Sequence, residues 1–312
     1  MTERKIPLLC ITGPTASGKS ALAVRLAQLL GGEVVSCDSM QIYRGMDIGT
    51  AKPTEAEMCG VPHHMIDIVA PSEDYSCGRY ADEAAKVIKD IASRGALPIV
   101  CGGTGLYLDS LITATEHADA PSDPAMREEL LARDAQSLHD ELSEIDAESA
   151  AAIHPNTKRR VARAIEIYRI TGRTKSEWDR RSHDTPSPYD ASVVALGYLD
   201  RELLYRRIRM RVDEMFDRGL CDEVCSLDLD PDSTAAAAIG YKEVGMYLRG
   251  ECTEEQAREA VKLATTRYAK RQLSWLRGRS YVKWAMICGD PEQDKKMLDK
   301  IVNISLILSE RR

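Results

Sequence analysis

One short segment near the N-terminus limits what this chain can fold into. Read from Gly13 to Ser20, it matches the pattern G-x-x-x-x-G-K-[ST]. The apolar run Leu8–Thr12 precedes it, and Ala21–Leu30 follows it with helical periodicity. Between a strand and a helix, the backbone N–H groups of such a loop surround phosphate oxygens, and its lysine adds a positive charge. The predicted phosphate-binding residues are Gly13, Pro14, Thr15, Ala16, Ser17, Gly18, Lys19 and Ser20.

The rest of the sequence predicts an α/β fold. Val34–Cys37, Leu97–Cys101 and Ser192–Gly197 are further short apolar runs typical of strands. Arg79–Arg94 has the periodicity of a helix. Short strands that alternate with helices predict a parallel sheet covered on both faces. We therefore expect a P-loop NTPase-like parallel sheet flanked by helices.

The sequence also indicates two domains. Beyond about residue 119 it becomes rich in Pro, Asp and Ser, then charged and helical, before strand character returns near residue 192. We expect residues 1–119 and 187–312 to form the P-loop α/β core domain. Residues 120–186 are expected to form a helical insertion domain.

The composition excludes several classes of protein. Hydrophobic residues make up 44% and charged residues 29%, as in globular proteins. No apolar run approaches the ~18–20 residues of a membrane span, and no signal peptide is evident, so we expect a cytoplasmic protein without membrane contact. Nine scattered cysteines argue against a disulfide framework. Neither Cys221 with Cys225 nor His63 with His64 forms a zinc pattern.

Charge is distributed unevenly along the chain. The formal net charge of −7 would by itself argue against a nucleic-acid partner. However, segment 156–181 holds nine basic and three acidic residues, and segment 258–283 holds eight basic and one acidic. Such basic faces are most often merely solvated, but two of them favour a polyanionic partner. In a helix, Arg159, Arg160 and Arg163 share one face, opposite Val161, Ala164, Ile165 and Tyr168.

Two oxygen-bearing side chains are expected beside the phosphate loop. Ser20 is placed to hold a magnesium ion against bound phosphates, so we expect Mg²⁺ as the cofactor. Asp38 follows the strand Val34–Cys37. Asp38 has either a structural role, as a helix cap or an indirect magnesium ligand, or a catalytic role as the general base for an attacking nucleophile. The chain lacks the Asn-Lys-x-Asp guanine reader of GTPases, and Leu97–Cys101 runs into glycines instead of the acidic residue of a conventional ATPase.

One arginine is predicted within an apolar helix face. Asp200 and Thr253 are placed to cap helices that extend to Arg218 and about Arg277. In the first of these helices Arg211 shares a face with three apolar residues, Leu204, Ile208 and Met215. A buried arginine needs an anionic partner, which is either a core carboxylate or a bound diphosphate. The phosphate loop favours the diphosphate.

Five sets of segments occur in a specific order along nearly the whole chain. They are Gly13–Ser20, Asp38–Gln41 with Gly49–Pro53, Gly102–Thr104 with Leu106–Tyr107, Ile239–Glu243, and Lys270–Gln272 with Trp275. The phosphate loop is shared with many families, but the combination resembles the tRNA dimethylallyltransferases, also called isopentenyl-tRNA transferases. Nothing here resembles the C-terminal zinc finger of the eukaryotic members, so we expect the bacterial form.

The resemblance implies a reaction. A dimethylallyl group moves from dimethylallyl diphosphate to the exocyclic amine of the adenosine 3′ of the anticodon in tRNA, giving isopentenyladenosine and diphosphate. The loop then holds the prenyl diphosphate in place of ATP. By the resemblance, Asp38 is the base, Thr104 contacts the reacting substrates, and Arg211 binds the diphosphate; these three are the candidate catalytic residues.

The resemblance also implies the partners. The expected partner is the anticodon stem-loop of tRNA, bound by a monomer. Arg159 departs from the family pattern, which has a glutamine at this position. We therefore expect residue 159 to contribute only its positive charge to tRNA binding. The candidate tRNA-binding residues are Asp38, Ser39, Met40, Gln41, Thr104, Arg127, Arg159, Arg160, Val161, Ala162 and Arg163.

Two other classes of function remain as alternatives. A P-loop kinase of a nucleotide or small metabolite would use the same loop, but it leaves the two basic segments unexplained. A non-catalytic RNA-binding module explains the basic segments but makes the loop superfluous. Analysis of tRNA nucleosides after incubation with candidate donors separates the three.

Overall fold

Among the residues that the structure describes, six parallel strands form one sheet in the order β3-β2-β4-β1-β5-β6. The computed structural model describes residues 5–113, 122–184, 186–290, 292–297, 299 and 301–302, with the backbone alone for 182–184. The strands are β1 Ile6–Thr12, β2 Gly32–Ser36, β3 His63–His64, β4 Leu97–Gly102, β5 Tyr189–Tyr198 and β6 Val282–Ile287.

Helices connect and flank these strands. In chain order they are α1 Lys19–Leu30, α2 Glu55–Met58, α3 Cys77–Ser93, α4 Gly105–Ile112, α5 Pro124–Ala132, α6 Ala135–Ile145, α7 Ala147–Ala152, α8 Lys158–Thr171, α9 Lys175–Asp184, α10 Arg201–Asp217, α11 Leu220–Leu227, α12 Tyr241–Leu248 and α13 Glu254–Arg277. No helix within the described ranges combines the length and apolar composition needed to cross a bilayer.

The predicted α/β class and parallel sheet are confirmed. The four expected strands are present as β1, β2, β4 and β5. The sequence did not reveal β3, which has only two residues, or β6, an edge strand in which only one residue is buried. β1 lies between β4 and β5, so the loop at its carboxyl end faces the loops that follow both neighbours.

The two long C-terminal helices begin at the predicted caps. The carboxylate of Asp200 accepts the N–H of Glu202 at the start of α10, and Thr253 forms a capping box with Gln256 at the start of α13. The buried residues of α10 are Leu204, Ile208, Val212 and Phe216. These residues are four apart and form the apolar stripe of α10, and Arg211 lies at the edge of this stripe. The sequence predicted that Arg211 lies within the stripe.

The chain divides into two compact units. The first contains residues 1–75, 82–108 and 189–312, and thus the whole sheet. The second contains residues 76–81 and 109–188, so its boundaries differ from the expected 120 and 186. Its helices α5 to α8 have a core of their own around Leu130, Leu138, Leu142, Val161 and Ile165.

Candidate active site

The phosphate loop joins β1 to α1 with the backbone that its glycines permit. Gly13 has φ 144°, and a Cβ there would lie 2.8 Å from the carbonyl oxygen of Leu196. Gly18 is the N-cap of α1, with φ 87° and ψ 10°. The predicted strand, loop and helix are therefore present in the required order, and the free N–H groups at the start of α1 lie at the end of the loop.

A cavity of about 300 Å³ opens beside this loop in the first unit. Its walls come from the loop, the segment after β2, and helices α10 and α13. It is lined by eight of the predicted site residues: Thr15, Lys19, Ser20, Asp38, Ser39, Met40, Gln41 and Arg211. The other loop residues form the backbone frame, and Thr104 contacts the cavity wall through Ser39.

Lys19 and Arg211 are two of the cations that line this cavity. Nζ of Lys19 donates to the carbonyl oxygen of Pro14 at 3.5 Å, and Nη1 of Arg211 donates to Oγ1 of Thr15 at 3.4 Å. Burial lowers the pKa of Lys19 and that of Arg211, while the negative charge of Asp38 acts in the opposite direction on both. Both contacts are long, and desolvation disfavours both charges, so this end of the cavity is suited to an anion.

Asp38 uses one carboxylate oxygen for structure. Its Oδ1 accepts the backbone N–H of Met40 at 2.9 Å. This contact stabilises a turn and is not the helix cap considered from the sequence, because the described residues 39–54 contain no helix. Its Oδ2 has no hydrogen bond to any described residue. One carboxylate oxygen of Asp38 therefore holds a turn, and the other is available to act as a base.

Thr104 is held directly beside this segment. Its Oγ1 accepts the N–H of Ser39 at 3.1 Å, and its own N–H donates to the carbonyl oxygen of Cys37 at 3.2 Å. Tyr268 also lines the cavity, and burial raises the pKa of its hydroxyl to about 12. The structure thus brings the candidate base and Thr104 together.

The side chain of Gln41 is engaged within the protein. Its Oε1 accepts from the hydroxyl of Ser36 at 3.0 Å, and its Nε2 donates to the carbonyl oxygen of Ala51 at 3.2 Å. Gln41 therefore ties the segment after β2 to the segment that carries Thr50, another residue of the cavity wall.

Several residues of this site have roles that the sequence did not assign. Gln272 of α13 joins the phosphate loop to the loop after β4: its Oε1 accepts the N–H of Thr15 at 2.9 Å, and its Nε2 donates to the carbonyl oxygen of Gly103 at 2.9 Å. Nε of Arg207 donates to the carbonyl oxygen of Ala16 at 2.8 Å. Arg271 and Tyr268 also line the cavity. Only the Lys270–Gln272 motif signalled their importance.

Glu223 of α11 supports another part of the cavity wall. Its carboxylate accepts three backbone N–H groups, those of Asp47 at 3.0 Å, Ile48 at 2.6 Å and Gly49 at 3.0 Å. It also accepts the hydroxyl of Tyr241 at 2.6 Å. No sequence motif indicated this arrangement, because Glu223 lies far along the chain from the residues that it holds.

Three charged residues form a compact cluster in the second unit. Glu166 is completely buried, and its carboxylate accepts from Nη2 of Arg127 at 2.9 Å and from Nη1 of Arg163 at 2.9 Å. The N–H of Asp123 completes the cluster at 2.8 Å. Arg127 and Arg163, both candidate tRNA contacts, therefore share one buried counter-charge.

The remaining predicted tRNA contacts in the second unit fall into two groups. Arg159 and Arg160 are exposed and form no salt bridge with any described side chain. Val161 and Ala162 are fully buried, because they lie on the packed face of α8, so their side chains are not available to RNA. Tyr168 was expected to pack on that face, but 37% of it is exposed.

Part of the second basic segment is neutralised within the first unit. Arg258 lies 3.4 Å from a carboxylate oxygen of Asp213 and 3.3 Å from one of Asp217, and Lys262 lies 2.8 Å from Asp213. The sequence count therefore overstated the charge that this segment offers to a ligand.

Two protein-family models match this chain, and their matches include residues of the candidate site. A family model described as IPP transferase matches residues 41–279, and one described as isopentenyl transferase matches residues 6–70. The first match covers more than half of the chain. The chain belongs to the tRNA dimethylallyltransferase family. The resemblance inferred from its motifs is confirmed.

Bacterial relatives match this family member over almost their full length. A tRNA dimethylallyltransferase of Halalkalibacterium halodurans is 48% identical over 302 residues, covering 95% of each chain. One of Geobacter sulfurreducens is 46% identical, covering 90% of this chain and 92% of its own.

Solved structures of the family show the same fold. The crystal structure of the full-length tRNA isopentenylpyrophosphate transferase of Bacillus halodurans is 45% identical and covers 98% of both chains with a TM-score of 0.73. A eukaryotic dimethylallyltransferase, described as acting on tRNA, is 31% identical with a TM-score of 0.85 and covers 98% of this chain and 80% of its own.

Proposed function

We propose that this protein is a tRNA prenyltransferase. It moves a dimethylallyl group from dimethylallyl diphosphate to the exocyclic amine of the adenosine 3′ of the anticodon, and it releases diphosphate. The observation that carries this proposal is the common cavity, in which Lys19 and Arg211 face the same space as the carboxylate of Asp38. Family membership supports the identity of both substrates.

The composition of the cavity suits a prenyl diphosphate. The cationic end binds the diphosphate through the loop N–H groups, Lys19 and Arg211. The apolar lining of Val212, Met215 and Ile239 suits the five-carbon chain. A diphosphate with an apolar tail matches both parts of the cavity, whereas the phosphates of a kinase substrate match only the first.

The reaction uses the free oxygen of Asp38 as a base. The exocyclic nitrogen of the flipped adenine attacks the first prenyl carbon, and a C–N bond forms as the C–O bond to the diphosphate breaks. Oδ2 of Asp38 accepts the proton that the nitrogen loses. Lys19, Arg211 and the N–H groups of the loop stabilise the negative charge of the departing diphosphate. Thr104 holds the backbone of Ser39 next to this base.

The residues present also fit a magnesium ion. The hydroxyl of Ser20 is a hard oxygen donor in the wall of this cavity, and Mg²⁺ is usually bound by one or two such groups together with phosphates and water. The described residues contain no group of three or more His, Cys, Asp or Glu side chains that would hold a metal by themselves. Bound at Ser20, Mg²⁺ would neutralise charge on the diphosphate.

We propose that two groups of residues bind the phosphate backbone of the anticodon stem-loop. One is the exposed pair Arg159 and Arg160, and the other is the Arg127–Glu166–Arg163 cluster. The segment Ser39–Gln41 is proposed to contact the target nucleotide from the cavity wall. One chain carries all of these residues, so we propose that the monomer is active.

Product analysis tests this function. Unmodified tRNA is incubated with the protein and either dimethylallyl diphosphate or ATP, then digested to nucleosides for mass analysis. We expect one dimethylallyl group to replace a hydrogen on adenosine with the prenyl donor alone. A phosphorylated product with ATP, or an unchanged tRNA that is nevertheless bound, would support the kinase or the binding module.

A further inference from the structure

Gln272 connects two loops that follow different strands. Its side chain is 6% exposed and makes both of its hydrogen bonds to backbone atoms. The acceptor Oε1 holds the N–H of Thr15 after β1, and the donor Nε2 holds the carbonyl oxygen of Gly103 after β4. Neither partner belongs to α13. Because the Thr15 N–H is donated to Gln272, this bond fixes the loop without using the N–H groups closer to α1.

The loop after β4 is shaped around the same helix face. Tyr268, Gln272 and Trp275 are spaced by four and three residues and therefore lie on one face of α13. A Cβ on Gly103 would overlap Nε2 of Gln272, and a Cβ on Gly105 would overlap the ring of Trp275. The absence of side chains at these two glycines lets the loop approach α13 closely enough for the amide to reach it.

Of the two connected loops, one binds the leaving group of the reaction and the other lies beside the base. The phosphate loop binds the departing diphosphate, while Gly103 is next to Thr104, which holds the segment of the base Asp38. Attack by the amine requires nitrogen, carbon and leaving oxygen to be aligned, and a misplacement of about 1 Å can reduce a rate by about 10²-fold.

We propose that Gln272 is a positioning residue that fixes the phosphate loop relative to the Thr104 loop and thereby aligns the diphosphate with the attacking amine. This inference rests on the proposed function. It assigns to Gln272 no contact with substrate. Its contribution lies in the length of the side chain and in having both an acceptor and a donor.

Single-turnover prenyl transfer tests this role. Gln272→Met has similar volume but lacks both hydrogen bonds. We expect its rate constant at saturating substrates to fall by about 10²-fold, with the dissociation constants of dimethylallyl diphosphate and tRNA unchanged. Gln272→Asn keeps the amide but is one methylene too short to reach both loops, so we expect a similar fall. If Gln272→Met does not melt cooperatively, Gln272→Asn carries the same test.

Gln256→Met is the matched control. It places the same substitution on α13 but removes only the hydrogen bond that Oε1 of Gln256 accepts from the N–H of Thr253, so helix stability should fall while the rate constant is retained. A wild-type rate in Gln272→Asn would overturn the proposal, because an amide would then suffice without the bridge. A weakened affinity for dimethylallyl diphosphate with an unchanged rate constant would also overturn it. A wild-type protein without transfer activity would contradict the proposed function instead.

Discussion

The hydroxyl of Tyr241 donates to Oε1 of Glu223 at 2.6 Å, and the same carboxylate holds the backbone N–H groups of residues 47–49. A Cβ on Gly49 would overlap the ring of Tyr241. This pair therefore shapes the part of the cavity wall that contains Gly49 and Thr50.

Loss of the Tyr241 hydroxyl should have a measurable effect on stability. We expect Tyr241→Phe to lower the free energy of unfolding by about 1 kcal/mol, since one hydrogen bond to Glu223 is lost. Glu223→Ala should lower it by at least about 2 kcal/mol, because three backbone N–H groups lose their acceptor. Urea denaturation measures both. Tyr247→Phe on the same helix is the control, and equal effects of the two tyrosine variants would contradict this role.

Lys19 should be needed for one substrate only. We expect Lys19→Ala to abolish measurable binding of dimethylallyl diphosphate and to leave tRNA affinity largely intact, because the exposed arginines of α8 are in the other unit. Calorimetry with each ligand measures this, with Arg25→Ala on the exposed face of α1 as the control. Equal loss of both affinities would show that the variant perturbs the fold.

The free oxygen of Asp38 should matter for the chemical step. We expect Asp38→Asn to lower the single-turnover rate constant by ~10²–10⁴-fold while both substrates still bind, because its amide retains the structural acceptor but accepts no proton. Asp200→Asn, which alters the cap of α10, should retain the wild-type rate. Near-normal transfer by Asp38→Asn would leave Asp38 with a structural role only.

Arg159 and Arg160 should contribute to binding through charge. We expect the double replacement by Ala to weaken tRNA binding and to reduce the slope of log affinity against log salt by up to ~0.7–0.9 per lost phosphate contact. Arg163 is left in place, because its removal would expose the buried charge of Glu166. Arg169→Ala, whose partner is Glu141, is the control. Parallel lines for wild type and double variant would contradict this contact.

Stability should depend on pH through Glu33. Hydrogen bonds from Arg94, and a further one from His64, lower the pKa of Glu33 from 4.5 to about 2. A pKa that is lower in the folded than in the unfolded state stabilises the folded protein above pH 4.5, and this stabilisation is lost as the pH falls towards 2. We expect Glu33→Gln to be less stable than wild type by at most about 3 kcal/mol at neutral pH. Denaturant unfolding should show the difference shrinking between pH 4.5 and 2; a constant difference would contradict it.

Local signals predicted the parts of this structure that depend on neighbouring residues. The pattern from Gly13 to Ser20 identified the strand, loop and helix, and Asp200 and Thr253 marked the starts of two helices. These features are set by backbone conformation and caps within a few residues. Family membership was evident from the same kind of signal, since the motifs are short and ordered.

Features set by distant residues could not be predicted. Helical phase alone placed Arg211 inside the apolar stripe, but the packing of α10 rotates the buried face towards Val212. The bridge from Gln272 to Thr15 and the carboxylate of Glu223 on residues 47–49 join segments that are far apart in sequence. Likewise, the buried Glu166 reduces the free charge of Arg127 and Arg163, which a count of basic residues does not show.

The most direct test of the central claim uses two anticodon stem-loop RNAs that differ only in the nucleotide 3′ of the anticodon, adenosine in one and guanosine in the other. Each is incubated with dimethylallyl diphosphate, and released diphosphate and prenylated nucleoside are measured together. We expect equal amounts of diphosphate and prenylated adenosine from the first RNA and no prenylated nucleoside from the second. Diphosphate release without RNA modification, or prenylation of the second RNA, would contradict the account.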